Sequence, residues 1–233
     1  MKITIQGFLS GLRKLLRFNN IISLSGESGT GKSTIALFLA GKLLEEGEQC
    51  IWIQASERFP TVRMRQMFEG DPRKIEYLKN HIFITPKDHV IHTYEEQCTI
   101  LLNLLSEGSI LPLGFKFLVI DNISHQLRHK IAQSEHISHT SKILDQFYEL
   151  LLMPLILFCK RNRIVLIILH EMTFDPKISQ TRPFFYKLYD RIRVIDIRLE
   201  HIVNESKKNI GISLNNTNWN FLFDLIPSGI AIY

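Results

Sequence analysis

The stretch Gly26-Glu27-Ser28-Gly29-Thr30-Gly31-Lys32-Ser33-Thr34 constrains this chain more than any other. It fits G-x-x-x-x-G-K-[ST], with the apolar run Ile21-Ile22-Ser23-Leu24 before it and Ile35-Ala36-Leu37-Phe38-Leu39-Ala40 after it. That order reads as strand, loop and helix. Glycines let the loop wrap with its backbone N–H groups pointing inward, and the helix that follows adds the positive end of its dipole. Lys32 and Ser33 then reach phosphate oxygens and Mg²⁺. The pattern predicts a nucleoside triphosphate site whose binding residues are Gly26 through Thr34.

The length of 233 residues and a hydrophobic content of 45% suit one α/β domain, residues 1–233, with a substantial core. A net charge of +5 would suit a polyanionic partner, and it also falls within ordinary surface charge. Cys50, Cys98 and Cys159 are odd in number, scattered and flanked by apolar residues, which suits reduced thiols and a reducing compartment better than disulfides or a metal site. The start lacks the apolar core of a signal peptide, and no uninterrupted apolar run reaches the length of a membrane span. A cytosolic or nuclear protein with no membrane partner is expected.

Residues 8–17 place Phe8, Leu12, Leu15 and Leu16 at helical spacing with basic residues between, so a short amphipathic helix opens the chain. The helix after the phosphate loop is expected to run to about Glu46 and stop near Gly47. Cys50–Ile53 reads as a buried strand, and Phe59–Phe68 as a helix with Pro60 in its first turn and Val62, Met67 and Phe68 available for packing. Gly70-Asp71-Pro72 breaks that helix. A strand at 81–84 and a helix at 93–106 follow. In Lys116-Phe117-Leu118-Val119-Ile120-Asp121, four apolar residues end in a carboxylate, a Walker B pattern that brings Asp121 beside the phosphate loop to hold Mg²⁺ together with Ser33.

Residues 125–142 are polar and read as a solvated loop entering a helix; their histidines, His125, His129, His136 and His139, lack the cysteine or carboxylate partners of a metal site. The helical stretch 141–162 contains Pro154, which predicts a kink or break. Residues 164–170 form the clearest central strand. Residues 174–189 set Lys177, Arg182 and Lys187 among Phe184, Phe185, Tyr186 and Tyr189. Two readings stay open for them: a loop that binds single-stranded nucleic acid by charge and stacking, or a loop pinned by its own aromatics. The last third alternates in polarity, as an antiparallel extension of the sheet would.

No Asn-Lys-x-Asp guanine reader is present, and two further βα units separate the phosphate loop from Asp121, as in a RecA-type core. The chain resembles the RecA/RadA recombinase superfamily, and is most similar to the short paralogues that help the main recombinase assemble on single-stranded DNA. Four stretches carry the resemblance: Gly26-Glu27-x-x-Thr30-Gly31-Lys32-Ser33, Ile51-Trp52-Ile53 with Phe59-Pro60-x-x-Arg63-Met64, Leu118-Val119-Ile120-Asp121-Asn122-Ile123, and Phe223 with Gly229-Ile230.

The resemblance implies a mostly parallel sheet flanked by helices with a C-terminal antiparallel extension. It also implies ATP and Mg²⁺ as ligands, a role in DNA recombination and repair, and a hetero-oligomer with other paralogues and the main recombinase. Single-stranded DNA would meet segments 125–142 and 174–189, and the compartment would be the nucleus in a eukaryote, otherwise the cytoplasm. Two departures stand out. Ser56 occupies the place of the family's water-orienting glutamate, leaving Glu57 as the catalytic candidate for at most a weak DNA-dependent ATPase. Glu171 stands where the family has a phosphate-sensing glutamine, and a carboxylate there is expected to repel a γ-phosphate. The chain starts almost at the core, so the family's helical N-terminal DNA-binding domain is expected to be missing. A stand-alone small-molecule kinase, with 174–189 closing over an acceptor, and a pseudo-ATPase scaffold are the alternatives.

Overall fold

The computed structural model describes residues 4–134, 137–175, 179–184, 186–189, 191–202, 207–215 and 217–233. His136, Lys177 and Phe185 lie outside them. The elements run α1 (Ile5–Phe18), β1 (Ile21–Gly26), α2 (Lys32–Leu43), β2 (Gln49–Gln54), α3 (Thr61–Met67), α4 (Pro72–His81), β3 (Ile82–Thr85), α5 (Tyr94–Leu105) and β4 (Phe115–Asp121). Then come α6 (Ser124–Ala132), α7 (Ile137–Phe147), α8 (Met153–Arg161), β5 (Val165–His170), β6 (Met172–Asp175), β7 (Gln180–Pro183) and α9 (Tyr186–Tyr189). Four strands end the chain: β8 (Ile195–His201), β9 (Lys208–Leu214), β10 (Thr217–Ile226) and β11 (Gly229–Ile232).

Nine strands form one sheet in the order β11-β10-β9-β8-β1-β5-β4-β2-β3. Pairing is parallel from β8 through β3 and antiparallel from β8 through β11, as the alternating C-terminal third predicts. The central strands are mostly apolar and buried because both faces are covered. Ile22, Leu24, Trp52, Val119 and Ile167 join a core under α1 to α4, while their neighbours Ile21, Ile53, Ile120 and Ile168 join a second core under α5 to α8. Cys50 and Cys159 are buried in these two cores, and all three thiols are free. Among the described residues, no helix is long and apolar enough to cross a membrane.

Several boundaries depart from the periodicity for local reasons. Helix α2 ends at Leu43 instead of reaching Glu46, because α4 captures the next carbonyls: Lys74 Nζ donates to Leu44 O at 3.0 Å and Tyr77 Oη to Glu48 O at 2.9 Å. That second helix escaped the reading of Asp71-Pro72 as a mere breaker. Asp71 also caps α4, accepting from the Lys74 N–H at 3.0 Å, with Pro72 in the first turn. In α3, which starts at Thr61 with Pro60 as its cap, Met64, Met67 and Phe68 face inward and Val62 is 70% exposed on the opposite side. The regular helix is interrupted just before Pro154, as the proline predicts. A π-helical turn, Tyr148–Leu152, joins α7 to α8 and leaves the proline in the first turn of α8, where it costs no hydrogen bond.

Among the described residues, the two segments expected as loops contain regular elements. Residues 124–132 form α6 because Leu127 is buried and Gln126 Nε2 donates to Ile91 O at 2.6 Å. Residues 172–175 and 180–183 pair as the antiparallel strands β6 and β7, and α9 places Leu188 and Tyr189 in the second core.

Two of the stretches that carried the family resemblance touch each other. Arg63 Nη2 donates to Ile226 O at 2.6 Å and to Gly229 O at 3.0 Å, tying α3 to the β10–β11 turn. Met67 and Phe38 close the same contact at Gly229. Hydrogen bonds from a charged donor contribute about 1.5–3 kcal/mol each when shielded and less in this half-exposed position. Arg63→Ala should therefore lower stability by about 1–3 kcal/mol, seen as an earlier urea midpoint with unchanged nucleotide affinity. A midpoint equal to that of the parent chain would mean that the turn holds itself.

Candidate nucleotide-binding site

Strand order places the chemistry. Because β5 lies between β1 and β4, the residue that follows β5, Glu171, emerges between the phosphate loop at the end of β1 and Asp121 at the end of β4. On the other side of β4 lies β2, paired through Gln54 with Asp121, so Ser56 and Glu57 emerge beside that carboxylate. These groups line one cleft of about 560 Å³ at the C-terminal ends of the parallel strands, the position at which open α/β sheets bind ligands.

The loop is held in shape by contacts within the chain. Glu27, Ser28 and Gly29 form its exposed rim, and Thr30 is buried, donating from Oγ1 to Glu27 O at 2.8 Å. Gly31 has φ +98°, and a Cβ there would lie 2.7 Å from Leu225 Cδ1, so only glycine fits between α2 and the antiparallel extension. The extension also braces the rim, with Lys208 Nζ donating to Gly29 O at 2.9 Å. Lys32, Ser33 and Thr34 open α2. Lys32 Nζ folds back to donate to Gly26 O at 2.9 Å and Glu27 O at 3.0 Å. Burial pulls its pKa below the usual lysine value, and the carboxylates of Asp121, Glu171 and Glu57 counter that pull.

Asp121 is 3% exposed, and its Oδ2 is buried without a hydrogen-bond partner among the described residues. Burial raises its pKa to about 6, partly offset by a hydrogen bond with Ser33. An orphaned carboxylate oxygen beside a serine hydroxyl is a hard-oxygen donor set open on one side, which suits Mg²⁺. Ser33 and Asp121 would hold the ion, which would supply charge neutralisation for phosphate oxygens. His170, wholly buried, is driven to about 3 by burial and the nearby Lys32, so it adds no charge to the site.

Ser56 is used structurally. Its N–H donates to Asp121 O at 3.0 Å and its Oγ accepts the Asn122 N–H at 3.1 Å, fastening β2 to β4. Glu57, one residue on, faces the cleft, where its charge bears on both Asp121 and Lys32.

Glu171 is not the bare anion that its position suggests. At about 6 Å, two unit charges in a surface-like dielectric repel by about 3 kcal/mol, enough to reject a terminal phosphate. Here the carboxylate accepts from Asn122 Nδ2 at 3.2 Å and Arg128 Nη1 at 3.0 Å, with His125 Nδ1 at 3.0 Å. These bonds hold its pKa below the ordinary glutamate value despite half-burial. The expected repulsion is thus offset by α6. The signal that could have shown this was the His125/Arg128 pair at i, i+3, one helical turn apart, in a segment whose polarity reads as loop.

A crystal structure of the RadB recombinase matches with a TM-score of 0.65 over 90% of this chain and 89% of that one, at 20% identity. The fold is that of a RecA-type core. A family model described as Novel STAND NTPase 3 matches residues 7–68, the span from α1 through the phosphate loop to α3. No curated protein matches the sequence.

Proposed function

We propose that this protein is an ATP-binding recombinase paralogue acting in homologous recombination and DNA repair, which holds Mg-ATP and assists recombinase assembly on single-stranded DNA within a hetero-oligomer. The observation that carries the reading is the pairing, across β5, of the phosphate loop with the orphaned Asp121 carboxylate. Lys32 and the loop N–H groups bind the phosphates, and Ser33 and Asp121 hold Mg²⁺. The similarity of residues 7–68 to an NTPase family and of the fold over 90% of the chain to a recombinase supports it.

Segments 125–142 and 174–189 supply the contacts suited to single-stranded DNA. Arg182 lies over the Tyr186 ring at 4.5 Å, and Phe174 on the hairpin is 60% exposed. Charge and aromatic faces together bind bases by stacking and backbone by attraction. The hairpin is tied to the nucleotide cleft through the Phe184 N–H, which donates to Glu171 O at 2.8 Å.

Affinity purification with mass spectrometry should recover related recombinase chains, and binding to single-stranded DNA should weaken steeply with salt. Recovery of no such chain, together with a salt-insensitive DNA signal, would overturn the reading. In this reading Glu57 orients the attacking water. Glu57→Gln should lower any hydrolysis by about 10²–10⁴-fold while leaving ATP affinity within threefold, measured by phosphate release and calorimetry. Equal turnover in the two proteins would remove Glu57 from the chemistry.

A further inference from the structure

We propose that Arg128 is a second phosphate-binding cation of this cleft, a terminal-phosphate ligand supplied by the chain itself and aimed by Glu171. The inference rests on the nucleotide reading of the phosphate loop and adds to it a basis for telling triphosphate from diphosphate.

The placement starts from Asn122, which follows Asp121 directly. Its Oδ1 accepts the His125 N–H at 2.9 Å and the Ser124 hydroxyl at 3.2 Å, which starts α6 immediately at the end of β4. Helical spacing then sets His125 and Arg128 on one side, facing the end of β5. Glu171 cannot move aside to let them go. Its N–H donates to Ser124 Oγ at 3.1 Å, and its carbonyl is held by Phe184. The backbone of Glu171 is therefore anchored between the phosphate loop and α6, and Asn122, His125 and Arg128 hold its carboxylate there.

Arg128 is held by this carboxylate without being used up. A guanidinium carries five N–H donors, and among the described residues only Nη1 is engaged, in a single bond to Glu171 Oε2. The side chain is 54% exposed along the cleft that Lys32 also lines, and its plane rests over Phe184. Its remaining donors are thus pre-oriented and open to a ligand, with little rotamer freedom left to lose. Lys32 belongs to the β1–α2 wall and Arg128 to the α6 wall. Inner phosphates wrapped by the loop meet Lys32, and the outermost phosphate, reaching past Asp121, meets Arg128. A diphosphate would end short of it.

Calorimetry on the full chain with Mg²⁺, comparing ADP with a non-hydrolysable ATP analogue, tests this. Arg128→Ala should weaken the triphosphate analogue by about tenfold or more and leave ADP within twofold, as loss of one charge-assisted contact requires. Arg128→Lys, which keeps the charge, should recover part of the loss. Arg128→Gln, which keeps a donor to Glu171, should bind like the alanine variant and guards against a folding artefact. An unchanged preference for triphosphate in Arg128→Ala, or an equal loss for both nucleotides, overturns the proposal. So does wild-type triphosphate affinity in the double variant Arg128→Ala/Glu171→Gln, because Arg128 would then only screen Glu171. Wild-type protein that binds neither nucleotide would instead overturn the reading of the loop itself, before any variant is made.

Discussion

Lys32→Ala should abolish measurable ATP binding under conditions where the parent chain binds it, with affinity falling at least about a hundredfold in calorimetry. The ammonium group lies across the mouth of the loop on the carbonyls of Gly26 and Glu27, already paying part of the cost of burial. A polyphosphate would offer it anionic oxygens in place of two neutral carbonyls. Charge-assisted bonds of this kind contribute about 1.5–3 kcal/mol each, so loss of two accounts for the expected factor. Folding should change little, since the same substitution removes two hydrogen bonds and one half-buried charge; the circular dichroism spectrum and melting point should stay close to those of the parent. An unchanged ATP affinity would mean that the loop is a glycine-rich turn with no ligand, and the scaffold reading would take its place.

The sheet was legible because its strands are written in two codes. Continuous apolar runs at 21–24, 50–53, 117–120 and 164–169 mark strands covered on both faces, and alternation after residue 191 marks strands covered on one. The phosphate loop and Asp121 were legible because backbone geometry ties them to fixed residue types. What escaped was set by contacts distant in sequence. Polarity between 125 and 142 reads as loop, yet Leu127 and the Asn122 cap suffice to start a helix. The 174–189 segment reads as loop because its aromatics face different partners, with Phe184 beneath Arg128 and Tyr189 in the core against His170. Nothing local in Glu171 announces three donors drawn from α6 and the turn before it. Its position alone suggests repulsion, and only the fold supplies the compensating charge.

Asp121→Asn should make the nucleotide-free protein more stable at neutral pH while impairing Mg²⁺-dependent nucleotide binding. The folded-state pKa of Asp121, about 6, lies above its ordinary value of 3.8. Between those values the folded chain holds a proton that the unfolded chain has released, so this group's contribution to stability declines as pH rises from about 4 to 6 and stays low above that. The gap corresponds to about 3 kcal/mol at pH 7.5. An amide of the same shape carries no charge and can still meet the Ser33 hydroxyl. A gain of roughly 2–3 kcal/mol is therefore expected, raising the melting point by about 5–10 °C in a chain of this size. At pH 4, where Asp121 is itself largely protonated, the two proteins should melt together. An asparagine variant that melts below the parent at pH 7.5, or keeps its advantage at pH 4, would show that Asp121 is satisfied within the fold. Saturating Mg-ATP should close the gap from the other side by stabilising the parent alone. The burial that destabilises the free protein is the same property that leaves Oδ2 without a partner, and it gives a divalent cation its reason to bind there.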